Sequence, residues 1–232
     1  PATDDARWTE QPGGGSDPFP LKSIHVSTRI SGTVAHVEVD QVFGNRNTKP
    51  VTAVYVFPLP HQAAIHDLSI RMGNKVVRAK IQRKADARRT YETAARQGKT
   101  AALLEQERPN LFQQSVANIM PGQELTVRTV MDMPVAPNGD MTEFVFPTAV
   151  GPRFCPPGSV PDMGKIGAPR LPEGMAPPQR LTMDVMLDAG VPVSGIVSPS
   201  HELSVSGTGN WRGPVALRLR DGATIPNKDF LL

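Results

Sequence analysis

The stretch Arg108-Pro109-Asn110-Leu111-Phe112, followed by Val116-Ala117-Asn118-Ile119-Met120-Pro121-Gly122, constrains the fold of this chain more than any other. Pro109 fixes its own φ and pushes Arg108 out of the α region, so no helix crosses this point. Phe112 then opens an extended run that Pro121-Gly122 closes, which reads as strand, tight turn, strand. Upstream, Ala53-Val54-Tyr55-Val56-Phe57 is a β-rich run stopped by Pro58 and Pro60. Between the two lies the one segment with helical spacing, Ala85 to Gly98. Ala87, Tyr91, Ala94 and Ala95 line one face, Arg88, Glu92 and Arg96 another, and Gly98 suits a left-handed C-terminal cap. A Glu92 to Arg96 pair contributes only about 0.2–0.5 kcal/mol, so packing must hold the helix, and Tyr91 is expected to be largely buried against a sheet.

The rest of the chain alternates with a period of two. Ile24, Val26, Thr28 and Ile30 alternate with polar residues, Ser31-Gly32 turns, and Ala35, Val37, Val39, Gln41 and Phe43 alternate again. Val51 to Phe57 is apolar on both faces and is expected to be central or covered, while Gly73-Asn74 joins Leu68–Arg71 to Lys75–Ile81 as a hairpin. Antiparallel strands are expected at Ala101–Gln106, Phe112–Met120, Leu125–Met133 and Met141–Phe146, with Pro137-Asn138-Gly139 as a turn. From Gly151 to Pro178, 13 of 28 residues are proline or glycine, too many for regular structure. Strands resume with Leu181, Met183, Val185 and Leu187, then Val191–Val197, Leu203–Val205 and Val215–Leu219.

These patterns predict a mainly β protein, an antiparallel β-sandwich-like domain with one short α-helix followed by a β-rich extension. The expected divisions are a flexible lead-in at 1–20, a domain at 21–154, a Pro/Gly-rich loop at 155–180 and the extension at 181–232. The last is about 50 residues, near the size at which a lone β unit struggles to bury enough surface, so it is expected to pack on the domain.

A net charge of +3 hides an asymmetry. Arg71 to Lys99 holds ten Lys/Arg against Asp86 and Glu92, and the remainder is net acidic. Such a segment is either a solvated surface or a docking face for an acidic glycan or lipid headgroup, with Arg78, Lys80, Arg83, Lys84, Arg88, Arg89, Arg96 and Lys99 as the candidate polyanion-binding residues. Nucleic acid is not expected as a partner, because no aromatic stacking platform accompanies the charge. The single cysteine, Cys155, excludes an internal disulfide and a Cys-based zinc cluster, and is read as a structural or incidental thiol because Pro156-Pro157 follows it and no histidine neighbours it. No run of about 18 apolar residues occurs, so any signal peptide or membrane span is expected outside these residues.

Other constellations carry less. Gly98-Lys99-Thr100 imitates the end of a phosphate loop, but Thr93 stands where the earlier glycine is needed and the helix precedes the loop. His61 and His66 are five apart, which suits neither a helical nor a strand metal face, and Asp132, Asp140 and Glu143 straddle a turn where acids are ordinary solvent-facing residues. No catalytic residue, cofactor or metal ligand is assigned.

In order along the chain stand Phe57-Pro58-Leu59-Pro60, the helix with Ala85, Tyr91, Ala94 and Gly98, Ala102-Leu103-Leu104-Glu105, Pro109-Asn110 with Phe112, and Asn118-Ile119 with Pro121-Gly122. This ordered set resembles the VIT domain, named for vault proteins and inter-α-trypsin inhibitor heavy chains, from about Pro20 to Phe154. A weaker similarity continues through Ser198-Pro199-Ser200-His201 and Asn227-Lys228-Asp229-Phe230-Leu231, which in related chains lie between the VIT domain and a von Willebrand A domain. The resemblance implies a following von Willebrand A domain beginning where this sequence stops. That domain's adhesion motif, Asp-x-Ser-x-Ser, is absent here. The resemblance is greatest to bacterial chains, some similar to sortase substrates. It implies a non-catalytic interaction or scaffolding module of an envelope or secreted protein, with an unknown protein partner and a sortase acting on the full-length chain.

Overall fold

The structure, a computed structural model, describes residues 21–59, 62–108, 111–148, 179–207, 209–225 and 228–232. The lead-in, the Pro109-Asn110 turn, His61, Cys155 and most of the Pro/Gly-rich loop therefore lie outside the described residues. In chain order the elements are β1 (Leu21–Ser31), β2 (Val34–Gly44), β3 (Val51–Pro58), β4 (Ala64–Met72), β5 (Lys75–Arg78), α1 (Lys84–Arg96), β6 (Ala101–Arg108), β7 (Leu111–Ile119) and β8 (Glu124–Pro134). There follow β9 (Ala136–Asn138), β10 (Met141–Glu143), β11 (Val145–Phe146), β12 (Arg180–Asp188), β13 (Leu203–Val205), β14 (Val215–Leu219) and β15 (Phe230–Leu231).

The protein is mainly β. Eight strands form one sheet in the order β13-β14-β12-β1-β2-β8-β4-β5, and a smaller sheet runs β3-β7-β6. Strict alternation decides which face each residue takes. Ile24, Val26 and Ile30 of β1, Ala35, Val37 and Phe43 of β2, Leu125, Val127 and Met131 of β8 and Leu181, Met183 and Val185 of β12 all point inward. Ala53, Phe112, Val116 and Ile119 of the small sheet join the same core, so the two sheets enclose it between them. The other face of the large sheet is charged: Arg128 on β8 bridges Asp40 at 2.7 Å and Glu38 at 3.2 Å on β2, and Arg218 on β14 reaches Asp184 on β12 at 2.7 Å.

Three expectations are corrected and one is narrowed. β3, expected to be central or covered, has Ala53 fully buried but is an edge strand in hydrogen-bonding order, with β7 at the centre. Apolar patterning reports burial of faces, not position along the ladder. β12 lies parallel to β1 from Ser23↔Arg180 to Ser31↔Asp188, a pairing that local patterning cannot see because its crossover is long. Val191–Val197, interrupted by Pro192 and Gly195, makes only an isolated bridge between Val193 and Trp211. Met141–Phe146 is broken at Phe144 into β10, which pairs with β9, and β11, which pairs with β15; the hairpin turn between β9 and β10 is Gly139-Asp140.

The motif around Asn118 has a local physical account. Pro121-Gly122 makes a turn closed by Gln123 N–H donating to the Met120 carbonyl at 2.9 Å, and Gly122 takes φ +71°, where a side chain is strained. Asn118 itself sits at φ +53° in β7, a conformation asparagine tolerates. From there its Nδ2 donates to the carbonyls of Ala95 at 2.8 Å and Lys99 at 3.0 Å. Gly98, at φ +72°, ends α1 with Lys99 N–H donating to Ala94 O and Gly98 N–H to Ala95 O, the paired bonds of a Schellman cap. Asn118 thus fastens the helix end to the small sheet.

Candidate functional site

α1 and the segment before it carry the basic residues, and the structure divides them into two sets. Arg88 reaches down from α1 to Glu105 on β6, with Nε to Oε1 at 3.1 Å and Nη2 to Oε2 at 2.8 Å. The Glu105 side chain is only 4% exposed against 48% for Arg88. Lys84 Nζ donates to the Gln106 carbonyl at 3.3 Å, Arg89 sits 3.7 Å from Asp86, and Arg96 Nε donates to the Glu92 carbonyl at 3.3 Å. The expected Glu92 to Arg96 side-chain pair is therefore replaced by a bond to the main chain, closer to the helix axis. Arg78, Lys80, Arg83 and Lys99 are exposed and carry no ion pair among the described residues.

Arg88, Tyr91, Leu103, Glu105 and Ser115 line an open groove between α1 and the small sheet. Tyr91, expected to be largely buried, is half-buried, and α1 contributes no fully buried residue. The helix lies over β6, an edge strand of the small sheet, where less of the sheet is available to cover the ring. Burial pushes the Tyr91 hydroxyl up to about 12; its hydrogen bond to Ser115 works in the opposite direction, and the Glu105 charge adds to the rise. The groove is thus neutralised internally.

Removing one member of the Arg88–Glu105 pair tests this. Arg88→Ala is expected to cost about 3 kcal/mol, because Glu105 remains buried without a countercharge. Glu105→Gln is expected to cost less, since half-exposed Arg88 can turn to water. Urea unfolding of both variants reads the difference, and equal costs would contradict the asymmetry.

A second cluster forms where the two short motifs of the extension meet. Ser198 Oγ donates to the Leu231 carbonyl, Leu231 N–H donates to Ser200 Oγ at 2.8 Å, and the rings of His201 and Phe230 lie 5.6 Å apart. Burial, and then the Lys228 charge, hold His201 below the ordinary histidine range. Of the acids near the β9–β10 turn, Glu143 accepts from Asn138 Nδ2 at 3.1 Å, whereas Asp132 belongs to β8 and meets His36 and His66. Pairing His66 with His61 by spacing missed that meeting, which depends on strand register.

Among the described residues, no helix is long and apolar enough to cross a membrane. Residues 21–131 match the family model described as vault protein inter-alpha-trypsin domain. The chain is 34% identical over 150 residues to human von Willebrand factor A domain-containing protein 5A, a match covering 63% of this chain and 19% of that protein. It is 31% identical over 137 residues to protein mono-ADP-ribosyltransferase PARP4 of Mus musculus, covering 59% of this chain and 7% of the relative. Human inter-alpha-trypsin inhibitor heavy chain H6 is 32% identical over 91 residues, 39% of this chain and 7% of the relative. The chain spans less than a fifth of the length of these curated relatives. The matched region runs from β1 into β8 and includes α1 with its Asn118 latch, and residues 21–131 form a VIT domain.

Proposed function

We propose that this module is a non-catalytic protein-interaction and scaffolding element of a longer chain that also carries a von Willebrand A domain. The observation that carries the reading is the 34% identity to a relative whose name specifies such a domain. The pinning of Phe230 and Leu231 by β11 and the Ser198–Ser200 clamp supports it, because a chain leaving that point has a fixed direction. The transferase activity named for PARP4 is not carried over, since the match covers 7% of that protein. An envelope or secreted location and processing by a sortase belong to the same proposal, and fractionation of the full-length protein tests them. For the interaction role itself, affinity capture with the full-length chain and with a version lacking residues 21–131 is the experiment. A partner recovered only with the intact chain is expected; identical captures from both would sink the reading.

The second reading is polyanion binding, favoured by Arg78, Lys80, Arg83 and Lys99, which are exposed and carry no ion pair among the described residues. Retention on heparin is expected at an ionic strength of about 0.01 M, with release as salt rises through roughly 0.15 M and the Debye length contracts to about 8 Å. Replacing those four residues by alanine should abolish retention. Flow-through of the parent protein at low salt would end this alternative.

A further inference from the structure

We propose that His36, His66 and Asp132 bind one divalent transition-metal ion of the zinc class on the outward face of the large sheet. This goes beyond the interaction role and does not rest on it. The three residues come from three adjacent strands, β2, β4 and β8, so a rigid ladder rather than a loop sets their spacing. His36 and Asp132 are direct cross-strand partners. His66 arrives by a different device: the β4–β8 register shifts between Ile65 and Asp67, so His66 is the extra residue of a β-bulge, a feature that re-aims a side chain. Without the bulge, unbroken register would carry His66 opposite Val130, two residues along β8 from Asp132.

The distances suit a small ion. His36 Nδ1 lies 2.8 Å from Asp132 Oδ1, His66 Nε2 lies 3.6 Å from Asp132 Oδ2, and one donor atom from each residue falls within 4.8 Å of the others. A tetrahedral ion with bonds of about 2.0–2.1 Å separates its ligands by roughly 3.3 Å. Small side-chain rotations therefore bring the three donors to that spacing, with the ion replacing the proton shared between His36 and Asp132. Two imidazoles and one carboxylate favour Zn²⁺, Co²⁺, Ni²⁺ or Cu²⁺ over Ca²⁺ and Mg²⁺, which take oxygen ligands.

The surroundings support the same assignment. Glu38 Oε1 lies 3.9 Å from His36 Nε2, on the ring nitrogen that the ion would not use, and Arg128 holds the Glu38 carboxylate at 3.2 Å. At 3.9 Å the contact is electrostatic rather than a hydrogen bond, and the carboxylate's charge favours the tautomer with the proton on the far nitrogen and the near nitrogen free. All three side chains are partly exposed, so the ion would keep a fourth position for water or a partner's side chain.

The test uses the untagged 232-residue chain, stripped with chelator and titrated with Zn²⁺ by calorimetry and with Co²⁺ by visible absorption. One ion per chain is expected, with tetrahedral Co²⁺ bands. His66→Ala and Asp132→Asn should each weaken Zn²⁺ binding at least tenfold, whereas His25→Ala, on the same face but beside Asp184, should leave it unchanged. His66 is exposed, so its alanine variant should keep the parent's thermal melt without metal, which separates lost ligation from lost fold. Undetectable binding, binding of several ions without saturation, or parent-like affinity in His66→Ala would each overturn the site.

Discussion

Cut after Phe154, the chain is expected to lose its fold rather than yield a smaller stable domain. β12 covers nine residues of β1 in parallel register, and β14 pairs with β12 in turn. Their removal deletes Leu181, Met183, Val185, Val215, Leu217, Leu219 and Phe230 from the shared core, and it uncovers Ile24, Val26 and Ile30. At about 1.5–3 kcal/mol for each of those seven buried side chains, the loss is on the order of 10–20 kcal/mol, an upper estimate because unfolded chains are themselves partly compact. A domain's whole stability is about 5–15 kcal/mol, so even half that loss exceeds what the remainder can sustain. The bared β1 would also present an unpaired edge, a template for aggregation. Expression, size exclusion and a thermal melt decide the matter. A soluble monomer melting at the parent's temperature would show that residues 21–232 are not one folding unit.

What sequence could see follows from range. Alternation in Ala35, Val37 and Phe43, the turn at Pro121-Gly122 and the cap at Gly98 depend on neighbours a few residues away, and each stands where the pattern places it. The Arg88–Glu105 pair spans 17 residues and two kinds of element. Its one hint in the sequence is an acid, Glu105, that directly follows Leu103-Leu104 within a strand. His36 and Asp132 are 96 residues apart and meet only once the β2–β8 register is fixed; His66 needs a bulge that no periodicity predicts. The basic segment was legible as composition, but which of its cations remain unpaired depends on contacts made by α1. Charge counts are local, whereas neutralisation is tertiary.

The ordered motif acquires a meaning of the same kind. Asn118 holds a left-handed backbone and donates twice to the helix end, so replacement by a β-branched residue would strain the strand and release α1 together. The helix in turn positions Arg88 over Glu105. One asparagine therefore links turn chemistry to the electrostatics of the groove.

Phe230→Ala is expected to cost about 4 kcal/mol, within the range for emptying a buried aromatic site. Phe230 is 1% exposed, meets Phe144 edge-on with centroids 6.4 Å apart, and also contacts the His201 ring. The main chain around it is held independently: Phe144 and Leu232 exchange hydrogen bonds of 2.8 and 3.0 Å, Ser200 accepts from Leu231 N–H, and Ser198 donates to the Leu231 carbonyl. These bonds keep the backbone in place after truncation, so the site cannot collapse and the cavity cost is felt in full. Ser200→Ala, by contrast, removes one acceptor from a partly buried N–H and is expected to cost about 1 kcal/mol. Urea unfolding of both variants measures the ratio. If Phe230→Ala costs no more than Ser200→Ala, β15 is held by its backbone clamp alone, and the proposed role of Phe230 in fixing the direction of a neighbouring domain fails with it.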